Sequence, residues 1–255
     1  MVTTMRNVAL LLAYDGGAYH GWQAQKNAVS VSRTLEEAIS GALGHPVRLT
    51  GCGRTDAGVH AEYYVANFRT DSHIPPERMP YAFLPWLPKD ISVYKAAYVP
   101  EAFHAVYSSV RKAYTYRVYP GKIPDPFYRG RAYFYPYGRL DVERMRRAAA
   151  HMIGTHDFSA MRTLGSNVKT TVRTLYAIEI AEGEKTLSIQ MAANGFLYNM
   201  ARTIAGTLLY VSEGKIDPDS IPDVLASGDR RRAGPNIPPE GLAMTGVWYR
   251  EPLFD

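Results

Sequence analysis

The 255-residue sequence has almost no cysteine and no long hydrophobic run, and these absences exclude several classes of protein. Cys52 is the only cysteine, so neither an intrachain disulfide nor a site with several cysteine ligands can form. No apolar run approaches the ~20 residues that span a bilayer. The first residues lack the pattern of a signal peptide, so we expect no secretion. These features predict a protein of a reducing compartment, the cytoplasm or an organellar matrix, with no membrane partner.

Common nucleotide and metal motifs are also missing. The glycines at 51, 53 and 58 do not follow the G-x-G-x-x-G spacing, and no Gly-Lys-Ser/Thr occurs. The seven histidines are scattered, and no His-Glu-x-x-His is present. The sequence therefore predicts neither a nucleotide cofactor nor a metal ion.

The excess of positive charge is moderate. Lys and Arg number 29 against 24 Asp and Glu, which gives a formal charge of +5 that permits an RNA partner without requiring one. Arginine occurs in clusters, which suit either phosphate contact or a solvated face. Between residues 128 and 139 tyrosines alternate with arginines, a pattern that suits base stacking and equally suits a strand with one aromatic face turned inward.

The first half of the chain follows the order strand, helix, strand, strand, helix, strand. Gly44 offers a stop for the first helix, whereas prolines weaken the second. The predicted elements are a strand at 8–14, a helix at 35–43, a short strand that begins at 46–49 and runs into the segment 53–61, a strand at 63–68, a short helix at 76–83 and a strand at 91–99.

The second half repeats this order. Its predicted elements are a strand at 114–118, a helix at 142–152, a hairpin of strands at 172–180 and 187–193, a helix at 197–211 and a strand at 247–250. Gly206 inside the last helix costs about 1 kcal/mol against Ala, which favours close packing there. Segments 121–130 and 230–241 are predicted as exposed loops, suited to substrate contact or to a role as rigid connectors. The pattern predicts an α+β protein of two ferredoxin-like (RRM-like) βαββαβ halves, residues 1–105 and 106–255.

One nine-residue run combines a carboxylate, a guanidinium and two glycines: Gly53-Arg54-Thr55-Asp56-Ala57-Gly58-Val59-His60-Ala61. Its spacing alone is typical of a tight loop with a turn-forming aspartate. The whole string resembles the catalytic loop of the tRNA pseudouridine synthases of the TruA type, in which the aspartate is the catalytic residue. Asp56 is therefore the leading catalytic candidate.

Further segments resemble the same family in the same order, and together they extend from residue 7 to about residue 250. They are Tyr14-Asp15-Gly16 with Gly21-Trp22-Gln23, Leu87-Pro88-Lys89-Asp90-Ile91, Phe103-His104-Ala105, Arg111-Lys112-Ala113-Tyr114-Thr115-Tyr116, Asn199-Met200-Ala201-Arg202, Asp229-Arg230-Arg231 and Glu240-Gly241-Leu242. The chain departs from the family pattern at Ser32, at Phe83-Leu84-Pro85-Trp86 and at Ala243-Met244. These departures bear on substrate preference and do not touch the candidate catalytic set.

The resemblance implies specific roles. Asp56 would be the nucleophile or base, Tyr114 the active-site tyrosine and Arg202 the ion-pair partner of Asp56. The residues implied in substrate binding are Arg54, Thr55, His60, Arg111, Lys112 and Tyr114. The family resemblance also implies one mixed, mainly antiparallel sheet with helices on one side and an active-site cleft between the halves. It further implies action on uridines 38, 39 and 40 of the tRNA anticodon stem-loop, no cofactor, and a homodimer.

The chemistry explains why such residues are needed. Pseudouridylation breaks the bond between N1 of uracil and C1′ of ribose and rejoins the base through C5, so nothing is oxidised. A carboxylate can attack covalently or remove a proton, and an arginine opposes the rise in pKa that burial would cause. Two other interpretations remain: a non-catalytic RNA-binding protein with two RRM-like halves, and a nucleoside glycosylase that releases uracil. The first lacks an RNP1-type aromatic motif, and the second needs a group that activates water.

Overall fold

The computed structural model describes residues 5–163 and 168–254, which form ten strands and five α-helices. The fold class is therefore α+β, as the sequence predicts. Two compact units divide the chain: unit 1 is Met1–Val110 with Met244–Asp255, and unit 2 is Arg111–Ala243. The halves 1–105 and 106–255, and their ferredoxin-like arrangement, remain predictions. Within the described ranges, no helix is both long and apolar enough to cross a membrane.

Unit 1 is organised around its first strand, which pairs on both sides. The strands are β1 (Arg6–Tyr14), β2 (Thr50–Gly51), β3 (His60–Thr70) and β4 (Ile91–Val99). β1 lies antiparallel to β3 and to β4, so that Val8 is opposite Phe68 on one side and Tyr98 on the other. β2 pairs with β3. The consecutive residues Val8, Ala9 and Leu10 are all fully buried, so both faces of this central strand are covered there, because successive side chains of a strand point to opposite faces.

The first helix, α1 (Val31–Leu43), confirms the predicted helix and its stop. Leu35 and Ile39 are fully buried and lie four residues apart on one face. Gly44 adopts a left-handed conformation with φ of 76°, and its N–H donates to the Ser40 carbonyl at 2.9 Å. A glycine is the residue that adopts this terminating conformation without a steric penalty. The predicted short helix is also present, as a 3₁₀ turn at Pro76–Arg78 followed by α2 (Met79–Phe83).

The short strand predicted to begin at 46–49 is present only as β2, which begins at Thr50. The N–H groups of segment 46–49 are bound by side chains of α1 and not by a neighbouring strand. Val47 donates to Ser40 Oγ at 3.0 Å, and Leu49 donates to Glu36 Oε1 at 2.9 Å. An extended segment whose donors are already used by side chains cannot form a strand ladder with them.

Unit 2 contains a second group of strands and three helices. The strands are β5 (Ser109–Pro120), which enters from unit 1, β6 (Tyr133–Tyr135), β7 (Gly154–Asp157), β8 (Val172–Glu182) and β9 (Leu187–Ala193). The helices are α3 (Val142–Ala150), α4 (Met200–Ser212) and α5 (Ile221–Ser227). β9 pairs antiparallel with β5 and β8, β7 pairs antiparallel with β8, and β6 runs parallel to the end of β5. The last strand, β10 (Leu242–Tyr249), leads back into unit 1.

Most of the predicted elements of unit 2 are present. β8 and β9 form the predicted hairpin, closed by a bond from the Gly183 N–H to the Thr186 carbonyl at 2.8 Å. The tyrosine-rich segment supports the strand interpretation at β6, where Tyr135 is buried, while Tyr137 beyond its end is exposed. Helix α4 begins at Met200, three residues later than predicted.

Helix α4 is packed closely, as Gly206 suggested. A Cβ placed on Gly206 would lie 2.0 Å from the Pro235 carbonyl oxygen, so only glycine allows this approach. The segment predicted as an exposed loop at 230–241 therefore packs on α4 as a rigid connector. The Gly234 N–H donates to Thr207 Oγ1 at 2.9 Å, and Arg230 Nη1 donates to the Gly234 carbonyl at 2.7 Å.

Candidate active site

The aspartate loop of unit 1 joins β2 to β3, and its first residues are fixed to β3. The Cys52 N–H donates to the Val65 carbonyl at 2.8 Å. The Tyr64 hydroxyl donates to the Gly53 carbonyl. The loop therefore starts from a backbone position that two bonds to one strand define.

Thr55 anchors the middle of the loop. Its side chain is buried and shares a 2.8 Å hydrogen bond with the Tyr14 hydroxyl, and its carbonyl accepts from the Trp22 N–H at 3.2 Å. Both contacts lie within unit 1 and engage the residue next to Asp56. Thr55 thus has a structural task that the sequence did not reveal, and its part in substrate binding remains a prediction.

Asp56 opens a tight turn. Its carbonyl accepts from the Val59 N–H at 3.1 Å, and the Gly58 N–H donates to the Tyr19 carbonyl at 3.1 Å. Gly58 has φ of 78°, a left-handed conformation that glycine adopts readily. Asp56 is half-buried, whereas its neighbour Arg54 is exposed. The backbone contacts hold the carboxylate-bearing residue at a fixed place, and Arg54 extends toward solvent.

Two glycines of the segment after β1 let the loop approach closely. A Cβ on Gly16 would lie 1.9 Å from the Val59 carbonyl oxygen, and one on Gly21 would lie 2.3 Å from the Thr55 carbonyl oxygen. Gly21 also has φ of 85°. Steric fit thus gives a physical reason for the glycines that follow β1 in the family motif.

An aromatic cluster of Tyr14, Trp22 and Tyr64 supports the loop. All three are buried, with ring centroids 4.3 Å apart for Trp22 and Tyr64 and 5.5 Å apart for Tyr14 and Tyr64. Two of these rings also bond the loop through their hydroxyls. The cluster is a rigid platform whose large buried area resists displacement of the loop.

His60, at the start of β3, lies among the same contacts. It is buried, and its Nδ1 is 3.0 Å from both the Gly16 N–H nitrogen and Asp15 Oδ1. One nitrogen cannot accept from Gly16 and donate to Asp15 at once, so these contacts belong to different protonation states of the ring. The burial supports a structural role for His60, and its contact with RNA remains a prediction.

Tyr114 lies on β5 opposite Met191 of β9. Its side chain is 8% exposed and packs edge-to-face against Phe196, with the centroids 4.9 Å apart and the planes at 79°. Phe196 was not singled out from the sequence. On the same strand, Lys112, two residues earlier, is half-buried, and Arg111, three residues earlier, is exposed.

Arg202 is in the first turn of α4, where two acceptors orient its guanidinium. Nε donates to the Ile237 carbonyl at 2.7 Å, and Nη1 donates to Asn199 Oδ1 at 3.0 Å. The nearby Tyr116 hydroxyl donates to the Pro238 carbonyl at 2.7 Å. Burial raises the pKa of Tyr116, the charge of Glu240 raises it further, and the positive charge of Arg202 opposes both.

The structure thus brings Arg54, Thr55, Asp56 and His60 together in unit 1 and positions Tyr114 and Arg202 on separate elements of unit 2. Within the described residues, no group of three or more His, Cys, Asp or Glu side chains is arranged to hold a metal ion. The supporting contacts of Tyr14, Phe196, Asn199 and Ile237 escaped the sequence analysis. Tyr14 and Asn199 lie in motifs that resemble the family, Tyr14-Asp15-Gly16 and Asn199-Met200-Ala201-Arg202, and could have been found from them. Phe196 and Ile237 lie in no such motif.

Comparisons with known proteins identify the family of this chain. The family model described as tRNA pseudouridine synthase matches residues 11–108 and 148–250. Proteins named tRNA pseudouridine synthase A from Thermoanaerobacter sp. (strain X514) and Acetivibrio thermocellus are 48% and 47% identical over 245 residues, 96% of this chain and their whole length. The protein of that name from Geotalea daltonii is 40% identical over the same share. A chain of a Cbf5-Nop10-Gar1 complex has 14% identity over 84% of this chain and 44% of its own, with a TM-score of 0.35 too low to support a conclusion. The family match and the full-length relatives agree: this chain belongs to the tRNA pseudouridine synthase family.

Proposed function

We propose that this chain isomerises uridine to pseudouridine in the anticodon stem-loop of tRNA, at positions 38, 39 and 40, with Asp56 as the catalytic residue. Family membership supports the reaction class, an isomerisation of uridine in tRNA. The positions come from the resemblance of the catalytic loop and its accompanying motifs. The single structural observation that carries the role of Asp56 is its place in a loop held by bonds to β3, to Tyr14 and to Trp22.

Asp56 can act in the reaction by either of two routes. The carboxylate attacks C1′ of the ribose or removes a sugar proton, and by either route the bond from C1′ to N1 of uracil breaks. The base then turns and C5 bonds to C1′, while the Asp56 carboxylate leaves C1′ or the sugar regains its proton. The C5 proton leaves and N1 takes up a proton, so the product has the same composition as the substrate. Because C1′ and C5 are inaccessible in a stacked helix, the target uridine first leaves its stack. A carboxylate on a fixed loop reduces the entropy lost in reaching the reactive geometry.

Tyr114 and Arg202 complete the proposed catalytic set. The ring of Tyr114 would stack on the flipped uracil, and its hydroxyl would take the C5 proton late in the reaction. The edge-to-face packing on Phe196 supports this role, since it restricts the tilt of the tyrosine ring. Arg202 would keep the Asp56 carboxylate ionised in a partly dry site. Its two hydrogen bonds leave the guanidinium with a defined plane for that task.

The proposed tRNA contacts are the basic and polar residues Arg54, Thr55, His60, Arg111 and Lys112. Arg54 and Arg111 are the best placed by exposure, and each could bond phosphate bidentately. Thr55 and His60 are buried, so their contribution would come through the loop backbone that they fix. We further propose a cytoplasmic homodimer that needs no cofactor.

Mapping of the product tests this function. A tRNA transcript with uridine at 38, 39 and 40 would be incubated with the protein, treated with a carbodiimide that marks pseudouridine, and read by primer extension. Stops at these three positions are expected. Stops elsewhere would refute the anticodon assignment, release of free uracil would indicate a glycosylase, and unmodified but bound tRNA would indicate an RNA-binding protein.

A further inference from the structure

Asn199, the residue before α4, has an unusual backbone. Its φ is 61°, and among residues 5–163 and 168–254 it is the only non-glycine residue with positive φ. Residues in sparsely populated conformations persist only where the surroundings stabilise them, and they concentrate at functional sites. Asparagine tolerates the left-handed region better than most residues, which makes the conformation attainable here.

Asn199 is the N-cap residue of α4, but its side chain does not cap the helix. An N-cap asparagine typically accepts a hydrogen bond from the backbone N–H two or three residues later. Asn199 makes no such bond, and its side chain is turned to two other groups. Its Oδ1 accepts from Arg202 Nη1 at 3.0 Å, and its Nδ2 donates to Thr163 Oγ1 at 2.9 Å.

The amide therefore connects the guanidinium to a second segment of unit 2. Arg202 Nε already donates to the Ile237 carbonyl at 2.7 Å, and the Nη1 bond to Asn199 provides a second point of attachment. Bonds from two different nitrogens fix both the position and the plane of this flat group. Asn199 is itself immobilised, since it is 8% exposed and its backbone carbonyl accepts from the Thr203 N–H at 2.9 Å.

We infer that Asn199 is a positioning residue for the isomerisation, and that it orients the Arg202 guanidinium through its Oδ1 while Thr163 holds its amide. The inference rests on the proposed function, because it gives Arg202 a task in the reaction. Asn199 serves chemistry through Arg202 and touches neither uracil nor ribose. A purely structural helix start at this place would need only the left-handed backbone, which glycine supplies.

The decisive variant is Asn199→Gly. Glycine keeps the left-handed backbone without strain and removes only the amide. We expect the single-turnover rate on tRNA to fall about tenfold or more, since a hydrogen bond to a charged group is lost. The Kd for tRNA should stay within about threefold, because the chemical step and not binding depends on the orientation of Arg202. The Tm should fall as well, because two hydrogen bonds of the side chain are lost.

Asn199→Asp supplies the rescue. A carboxylate accepts from Arg202 and from the Thr163 hydroxyl, so both contacts persist without the amide. This variant should recover part of the rate that the glycine variant loses, because its carboxylate restores the orientation of Arg202 but also takes some of the charge that Arg202 would offer to Asp56. Asp141→Ala is the matched control. Asp141 is the N-cap of α3, and its Oδ1 accepts from the Arg144 N–H at 3.1 Å, so its loss should lower the Tm and leave the rate unchanged.

The outcomes separate this inference from the proposed function. An inactive wild type would refute the proposed function, whatever the variants do. An active wild type with an equally active glycine variant would overturn the inference, as would weakened tRNA binding with an unchanged rate, or an aspartate variant as slow as the glycine variant. Should Asn199→Gly not fold, Thr163→Val removes the anchor and preserves the backbone of Asn199. We then expect a smaller loss of rate, and a wild-type rate would overturn the inference.

Discussion

In unit 1 the aspartate loop is held through its backbone and through Thr55, whereas in unit 2 Arg202 is held through its own guanidinium. Tyr14, Trp22 and Tyr64 bond the residues before Asp56, and the Tyr19 carbonyl accepts from the Gly58 N–H after it. The Arg202 contacts come from one carbonyl and one amide, and they engage the functional group itself. The two units therefore preorganise their residues differently. Unit 1 fixes the backbone from which the Asp56 side chain extends, and unit 2 fixes the guanidinium at the end of the Arg202 side chain.

The difference predicts which substitutions matter in each unit. Around Asp56, damage should come from steric displacement of the loop. Around Arg202, it should come from loss of hydrogen-bond acceptors or of the forked donor group. Three substitutions test this contrast, and we expect their effects on the reaction rate to decrease from Gly21→Ala through Arg202→Lys to Tyr14→Phe.

Gly21→Ala should cause the largest loss among these variants. Its Cβ would lie 2.3 Å from the Thr55 carbonyl oxygen, so the loop that bears Asp56 must move. A displacement of about 1 Å costs roughly 100-fold in rate, and we expect at least that in single-turnover assays. Gly44→Ala is the matched control, since Gly44 has φ of 76° with nothing within 4 Å of a Cβ. It should lose about 1 kcal/mol of stability, measured by denaturant unfolding, and keep its rate. Equal effects on rate would contradict the steric account of the loop.

Arg202→Lys should cause the next largest loss. Lysine preserves the charge but offers one nitrogen where Arg202 uses Nε and Nη1 for two acceptors. Loss of a charged hydrogen bond is worth about 1.5–3 kcal/mol, which corresponds to roughly ten- to a hundredfold in rate. Single-turnover kinetics with the Kd for tRNA measured in parallel would check this. A lysine variant with the wild-type rate would show that charge alone suffices and that orientation does not matter.

Tyr14→Phe should have the smallest effect. It removes the hydroxyl that bonds Thr55 Oγ1 and preserves the ring of the aromatic cluster. The net cost of one neutral hydrogen bond is about 1 kcal/mol, and we expect up to roughly fivefold in rate together with that loss of stability. Tyr249→Phe removes a comparable bond, from its hydroxyl to the Ala105 carbonyl at 2.9 Å, and leaves the bond to Thr55 in place. It should cost similar stability with no change in rate, and a slower Tyr249→Phe would mean that stability alone explains both variants.

Local patterns gave much of the fold. The strands β3 and β4, the apolar face of α1 and its glycine stop, and the β8–β9 hairpin are encoded by residues close in sequence. The strand predicted to begin at 46–49 begins only at Thr50, because the N–H groups of Val47 and Leu49 are taken by Ser40 and Glu36, which only the folded chain brings near. β6 and β7 are three and four residues long, too short to establish a period.

The residues of the candidate site could be predicted from the sequence, but the hydrogen bonds that position them could not. The motif around Asp56 and the position of Arg202 could be read from the chain because they are contiguous strings. The bond between Tyr14 and Thr55 joins residues 41 positions apart, and that between Arg202 and the Ile237 carbonyl joins residues 35 apart. The hydrophobic periodicity of the sequence does not reveal hydrogen bonds between residues so far apart. The left-handed backbone of Asn199 is likewise invisible in sequence, since asparagine at a helix start normally predicts an ordinary cap.

Tritium release from tRNA that carries [5-³H]uridine tests the central claim most directly, with wild type, Asp56→Asn and Asp15→Asn compared. Asp15 is the matched control, a carboxylate beside the same loop whose Oδ1 accepts from the Gly17 N–H at 2.9 Å. We predict release by the wild type and, within about tenfold, by Asp15→Asn, and none by Asp56→Asn although it binds tRNA within about threefold of wild type. Release by Asp56→Asn near the wild-type rate would contradict the assignment of Asp56 as the catalytic residue.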